Sequence, residues 1–341
     1  MRREVIYDRV HFALEFILYL VPTAAFSTLF PALVMEFPHK SEKRMAHTTY
    51  IANLLRAVEY TPSLRNKLLA VITDRVIKVD TEIQADLDEL EDNQGDELEA
   101  EIRHTGAGNP KASTAVTDSE DSDSEGDTSE EDMDAITSIK DTVDKLDSML
   151  DILLSYYSKS FPTKATTNPS TKSIETFEVL LRLFNTTILP TYRSRYTQFL
   201  LFWAAQKSPR FSDQFCVNLL DKALDNSFQP GTRQAAASYI ASFVARAKFM
   251  PANYVQTVVK IMCRWLGAFV DQRSIECQGP DVLRWGGFYS VCQAVMYIFC
   301  FRWRDLKEVE EDEFGLVEER WVEELGILNK VVTSRFNPLK V

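Results

Sequence analysis

The residues of this chain whose types could do chemistry are four histidines, five cysteines and a dense run of carboxylates. His11, His39, His47 and His104 could ligate a metal or carry protons near neutral pH, yet none lies one helical turn from another, and His39 follows Pro38 in a loop. Cys216, Cys263, Cys277, Cys292 and Cys300 are odd in number and form no C-x-x-C pair. That spacing argues against a zinc knuckle and against a secreted disulfide framework, and so points to a reducing compartment. The sequence has no H-E-x-x-H, no G-x-S-x-G, no phosphate-cradling G-x-x-x-x-G-K-[ST] and no strand followed by G-x-G-x-x-G. No catalytic residue, cofactor or metal site is therefore expected, and the chain reads as a binding protein and not an enzyme.

The carboxylates are concentrated in one place. The whole chain carries 50 acidic and 38 basic residues, a net charge of -12. Residues 82–134 hold 20 of the acids against Arg103 and Lys111, a local charge of -18, which leaves the remainder 36 basic and 30 acidic groups, or +6. A water-exposed carboxylate has no burial to tune its pKa for acid/base work. The segment has no aromatic residue and few large apolar ones, so it cannot bury enough surface to offset its ordering entropy and is expected to be a disordered insertion. Within it Ser122, Ser124, Thr128 and Ser129 each have an acidic residue three places on, the pattern acidophilic kinases favour. Phosphorylation would add about -1.5 to -2 per site; equally, Ser and Asp simply keep a loop soluble.

Basic and aromatic residues interleave once, at Tyr192, Arg193, Arg195, Tyr196, Phe199, Phe202 and Trp203. Such a stretch could pair with phosphates and stack on bases, or form a core helix with two edge arginines. The three- and four-residue steps of the aromatics favour the core. Arg233, Arg246 and Lys248 flank a second helix and are candidates, with Arg193 and Arg195, for a partner-facing or structural surface. Arg302, Trp303 and Arg304 close an apolar helix, where positive charge favours its own C-terminal end.

The elements that must position these groups are helices. With 45% hydrophobic residues the chain can bury a substantial core, and its 11 Gly, 13 Pro and scarce alternating β-branched runs give a large sheet little support. The clearest helix spans Thr232–Lys248, where Ala235, Ala236, Tyr239, Ile240, Phe243, Val244 and Ala247 recur at helical steps after Pro230-Gly231. Similar patterns predict helices over 3–20, 43–60, 63–87, 136–157, 173–189, 192–206, 212–225, 252–270 and 281–301. Residues 16–35 carry no charge, close to the length of a membrane span. Pro22 and Pro31 divide them, so two short buried helices are expected instead. A train of helices with 35 to 47 residues per pair fits an all-α, HEAT-repeat-like α-solenoid of antiparallel pairs. Repeats are expected over 1–88 and 135–341, with the acidic insertion at 89–134. Both ends lack polar caps, the expectation for a fragment of a longer protein.

Four stretches then carry a family resemblance: Pro190 to Phe202 (PTYRSRYTQFLLF), Arg233 to Phe249 (RQAAASYIASFVARAKF), Val331 to Val341 (VVTSRFNPLKV), and Asn53 to Arg65 followed by Lys78-Val79-Asp80 and an acidic block. Together they resemble the RNA polymerase I-specific transcription initiation factor family over nearly the whole chain. The resemblance implies a HEAT-repeat factor of the nucleus and nucleolus that binds RNA polymerase I near its stalk and tethers it to promoter-bound core factor. It implies no sequence-specific DNA binding and no membrane association, and allows a homodimer when free. It also implies regulation by phosphorylation, including a serine patch to which Ser41 and Ser63 could belong. The alternative that architecture alone supports is a HEAT-type scaffold or transport adaptor binding peptides, since fold does not decide function.

Overall fold

The computed structural model of the chain describes residues 3–89, 130–191, 194–311 and 317–337. The predicted acidic insertion at 89–134, with Ser122, Ser124, Thr128 and Ser129, lies outside them apart from its two ends, since Glu89 ends one helix and Glu130 opens the next. The described residues are helical almost throughout, an all-α helical repeat. They form two compact units, Met1–Lys159 with Arg193–Leu200, and Ser160–Tyr192 with Leu201–Val341.

The first unit contains α1 (Arg3–Leu20), α2 (Phe30–Met35), α3 (Arg44–Tyr60), α4 (Arg65–Glu89) and α5 (Glu130–Ser158). Its core is the shared apolar face of the last three. Ile51 and Leu54 of α3, Leu68, Ile72 and Val76 of α4, and Leu146, Met149 and Leu153 of α5 are all essentially inaccessible. Each such side chain contributes about 1.5–3 kcal/mol of hydrophobic stabilisation. Lys145 reaches into the same unit and donates to the Lys40 carbonyl at 2.6 Å, so its buried ammonium has an acceptor.

The second unit contains α6 (Thr171–Leu183), most of α7 (Phe199–Ala205), α8 (Pro209–Leu224), α9 (Pro230–Arg246), α10 (Ala252–Arg273), α11 (Val282–Arg302) and α12 (Ile327–Thr333). Starts follow local chemistry. Ser170 caps α6 through a bond from the Ser173 amide at 3.2 Å, and Asp281 caps α11 by accepting from the Leu283 and Arg284 amides at 3.0 Å each. Proline opens α8 and α9, where its missing N–H costs nothing. The core is aromatic: Phe184, Phe202, Phe215 and Phe243 meet at ring separations of 5.0–5.8 Å. A second cluster joins Phe269, Trp285, Phe288 and Phe336.

Three local expectations are corrected. Residues 307–321, which the helical pattern left unassigned, include an antiparallel hairpin of β1 (Lys307–Glu311) and β2 (Val317–Trp321), with Lys307 opposite Trp321. The chain from Phe16 to Met35 is not a pair of buried helices: α1 runs unbroken to Leu20, a π-helical turn covers Ala25–Leu29, and most of their apolar side chains are exposed. The helix expected over 192–206 is reduced to Phe199–Ala205, for a reason that lies in α4.

Candidate functional site

Asp80 sits on the buried stripe of α4, between Val76 and Ile83, and is wholly inaccessible. Its carboxylate accepts five hydrogen bonds from the turn at 194–197. The donors are the Ser194 hydroxyl at 2.8 Å, the amides of Arg195 and Tyr196 at 3.1 Å each, the Thr197 amide at 2.8 Å and the Thr197 hydroxyl at 2.7 Å. Three successive amides aimed at one carboxylate are unavailable for helical bonds, so the chain turns here before α7 begins. Arg195 is held on the exposed outside of this turn, while Arg193 lies outside the described residues. The basic and aromatic residues thus do not share one helix. In the sequence Asp80 shows only as an acid in register with the apolar stripe of α4; that it meets residues 194–197 does not show there.

Arg302 shows a similar division of labour. It is buried and does not serve its own helix end; it donates to the carbonyls of Val244, Ala247 and Met250 at 3.0, 2.8 and 2.8 Å, and its Nε meets Asp305 at 2.5 Å. These carbonyls end α9 and the turn after it, so the guanidinium supplies the acceptors there with their missing donors. Beyond that buried end, Arg246 folds back onto the hydroxyl of Ser242 at 2.6 Å, and both Arg246 and Lys248 face outward. At the other end of α9, half-buried Arg233 donates from Nε to the Ala223 carbonyl at 3.3 Å and lies 5.8 Å from the Trp265 ring. Gly287 of α11 packs against that guanidinium; a Cβ there would stand 3.1 Å from its central carbon. Arg233 therefore joins α8, α9, α10 and α11, which is a structural position.

Helix α1 carries a run of exposed apolar side chains. Phe12 is 72% exposed and Tyr19 83%, with Phe16, Ile17 and Leu20 beside them. One polar pin holds the helix to α3: His11 bonds Tyr60 Oη at 2.9 Å and Asn53 Oδ1 at 3.0 Å. Asn53 is oriented by its own amide donating to the Thr49 carbonyl, so its Oδ1 accepts from His11 Nε2, while His11 Nδ1 meets the Tyr60 hydroxyl. Asp8 adds an ion pair to Arg56 at 2.6 Å. Behind the pin lies an apolar cavity of about 660 Å³ lined by Tyr7, Leu14, Leu33, Tyr50 and Leu54. In the loop after α2, Ser41 bonds His39 at 2.9 Å, and Ser63 lies exposed in the 3-10 turn before α4.

The remaining reactive groups are arranged for packing. Burial pushes the thiols of Cys216, Cys263 and Cys292 up to about 12, far from the thiolate a nucleophile needs. Among the described residues no three His, Cys, Asp or Glu come together to hold a metal, and no helix is long and apolar enough to cross a membrane.

These features define a helical-repeat protein whose buried charges fix turns and helix ends and whose first helix exposes apolar side chains. The chain belongs to the family described as RNA polymerase I specific transcription initiation factor RRN3, which it matches over residues 1–341. It is 37% identical to the RNA polymerase I-specific transcription initiation factor rrn3 of Schizosaccharomyces pombe, over 98% of this chain and 55% of that one. To the Mus musculus factor it is 30% identical, over 98% of this chain and 49% of the relative. The crystal structure of RNA polymerase I transcription initiation factor Rrn3 superposes with a TM-score of 0.71 at 26% identity, covering 97% of this chain and 57% of that one. The chain thus spans about half the length of the relatives it matches.

Proposed function

We propose that the chain is a HEAT-type portion of a transcription initiation factor that binds RNA polymerase I and links it to promoter-bound core factor for ribosomal RNA synthesis. The observation that carries this reading is the family match over the whole chain, joined to relatives whose names specify initiation by RNA polymerase I. Its work is adhesion and not catalysis. The exposed apolar face of α1 supports protein contact, because apolar patches of this kind mark binding surfaces on soluble proteins. Arg195, Arg246 and Lys248 are the outward cations that could complement an acidic partner, whereas Arg233 serves the packing of the second unit. The chain acts in the nucleus, within the nucleolus where such a polymerase works, and Ser122, Ser124, Thr128 and Ser129 are its candidate phosphorylation sites. When free it can pair with a second copy of itself. Affinity purification of the tagged chain from nuclear extract tests the reading: RNA polymerase I subunits should dominate the eluate, and enrichment of transport factors in their place would contradict it.

A further inference from the structure

Beside Arg233 the second unit holds a polar cleft of about 190 Å³. Three guanidiniums line it, those of Arg233, Arg273 and Arg284, together with the carboxylate of Glu276 and the rings of Phe269 and Trp285. The formal charge of the lining is three positive against one negative, or +2. Glu276 engages only one nitrogen of each neighbouring arginine: Arg273 Nη1 donates to both its oxygens at 3.0 Å, and Arg284 Nη2 to Oε2 at 3.2 Å. Since a guanidinium carries five N–H donors in a rigid fork, most of this donor capacity is unspent. Arg233 Nη2 is buried and has no hydrogen-bond partner among the described residues. Asp225, which attracts Arg233 from outside the cleft, is itself occupied by the amide and hydroxyl of Ser227 at 2.8 and 2.7 Å.

Two forks share one carboxylate and a third guanidinium stands beside them without one, so the cleft is short of anionic acceptors, and the missing acceptor has a definable charge and shape. We infer that this cleft binds a dianionic phosphate group, either the terminal group of a phosphoserine or phosphothreonine side chain or the free ion. Its oxygens accept from the nitrogens of Arg273 and Arg284 that Glu276 leaves unused, the half-buried guanidinium of Arg233 adds its positive charge to the wall of the cleft, and the two charges of the phosphate balance the lining. A phosphodiester of a nucleic-acid backbone fits worse on both counts. It carries one charge, offers two free oxygens, and brings a substituent on each side into a small cleft. Arg284 lies 4.4 Å over the Trp285 ring, which orients its fork without consuming donors. Burial lowers the pKa of Arg233, the direction expected for a cation held without a full complement of anions.

The test is calorimetric titration of the whole chain at about pH 7.5, where a monoester is dianionic, in a chloride buffer. The probes are inorganic phosphate, O-phosphoserine and dimethyl phosphate. Saturable 1:1 binding of inorganic phosphate is expected, weakened about tenfold or more in the double variant Arg273→Gln/Arg284→Gln. Both positions are 43–52% exposed, so this variant keeps its fold, which circular dichroism verifies. Phosphoserine binding identifies a phosphorylated peptide as the source, and its absence beside phosphate binding identifies the free ion. No saturable phosphate binding, equal binding by the double variant, or dimethyl phosphate binding as tightly as phosphate would each overturn the assignment.

Discussion

Replacing Asp80 by alanine removes the acceptor of five hydrogen bonds at 2.7–3.1 Å and strands the amides of residues 195, 196 and 197. A hydrogen bond to a charged group contributes roughly 1.5–3 kcal/mol, and an orphaned buried donor costs about 1–3 kcal/mol. The terms are not additive, because water can enter the space left by the carboxylate. Even two unreplaced bonds at the lower bound give a loss of about 3 kcal/mol. Asp80→Asn is the informative comparison. Oδ2 accepts four of the five bonds and Oδ1 only that from the Arg195 amide, so an amide oriented with its oxygen at the Oδ2 position keeps four neutral bonds and turns its NH₂ on one amide. Its cost should fall near 1.5–3 kcal/mol, between wild type and alanine. Two assays separate a local from a global effect: urea denaturation of the whole chain, and hydrogen exchange of the 194–200 amides. The expected order of stability is wild type, Asn, Ala, with exchange at 195–197 accelerated first. Unchanged midpoint and unchanged exchange in Asp80→Ala would refute the claim that this carboxylate builds the turn.

Other perturbations follow from the same structure. Arg302→Ala leaves three carbonyls without their shared donor and should cost about 3 kcal/mol or more, with Arg302→Lys recovering part of it; a thermal melt unaffected by Arg302→Ala would contradict the helix-end role. Arg233→Ala should lower the melting temperature by an amount worth about 1–2 kcal/mol through lost packing against Trp265 and Gly287, without changing the proteins captured; loss of polymerase capture at an unaltered melting temperature would make it an interface residue. His47 has its pKa lowered, first by burial and further by nearby Lys145. The unfolded chain therefore takes up this proton at higher pH than the folded one. The contribution is fully present above about pH 6.5 and is lost as pH falls through and below that value toward the depressed folded pKa. His47→Leu should flatten this part of the pH–stability curve, and an identical acid profile in the variant would remove His47 as its source.

How far the sequence could be read depended on how local the determinants are. The helices at 3–20, 44–60, 252–273 and 282–302 lie within a few residues of where periodicity puts them, because proline, Asp281 and the apolar stripe act within a turn or two. The turn at 194–198 was not legible, since the group that stops the helix is Asp80, 114 residues upstream of Ser194 in the chain. Arg302 read as serving its own helix end because its true acceptors are 52–58 residues away. The hairpin at 307–321 has Val309 alone among the charges of its first strand, so no alternating apolar face announced it. For α1 the pattern revealed apolar residues but not whether a neighbour covers them. The arginines of the cleft were visible one at a time; that Arg233, Arg273 and Arg284 converge depends on the close approach of α9 and α11, which Gly287 permits.

We propose that this chain, about half the length of its relatives, contacts RNA polymerase I directly. The decisive measurement is binding of the purified chain to purified RNA polymerase I by analytical size exclusion, with RNA polymerase II as the control. Co-migration with polymerase I and none with polymerase II is the expected result. Elution apart from polymerase I, or equal association with both enzymes, would contradict it.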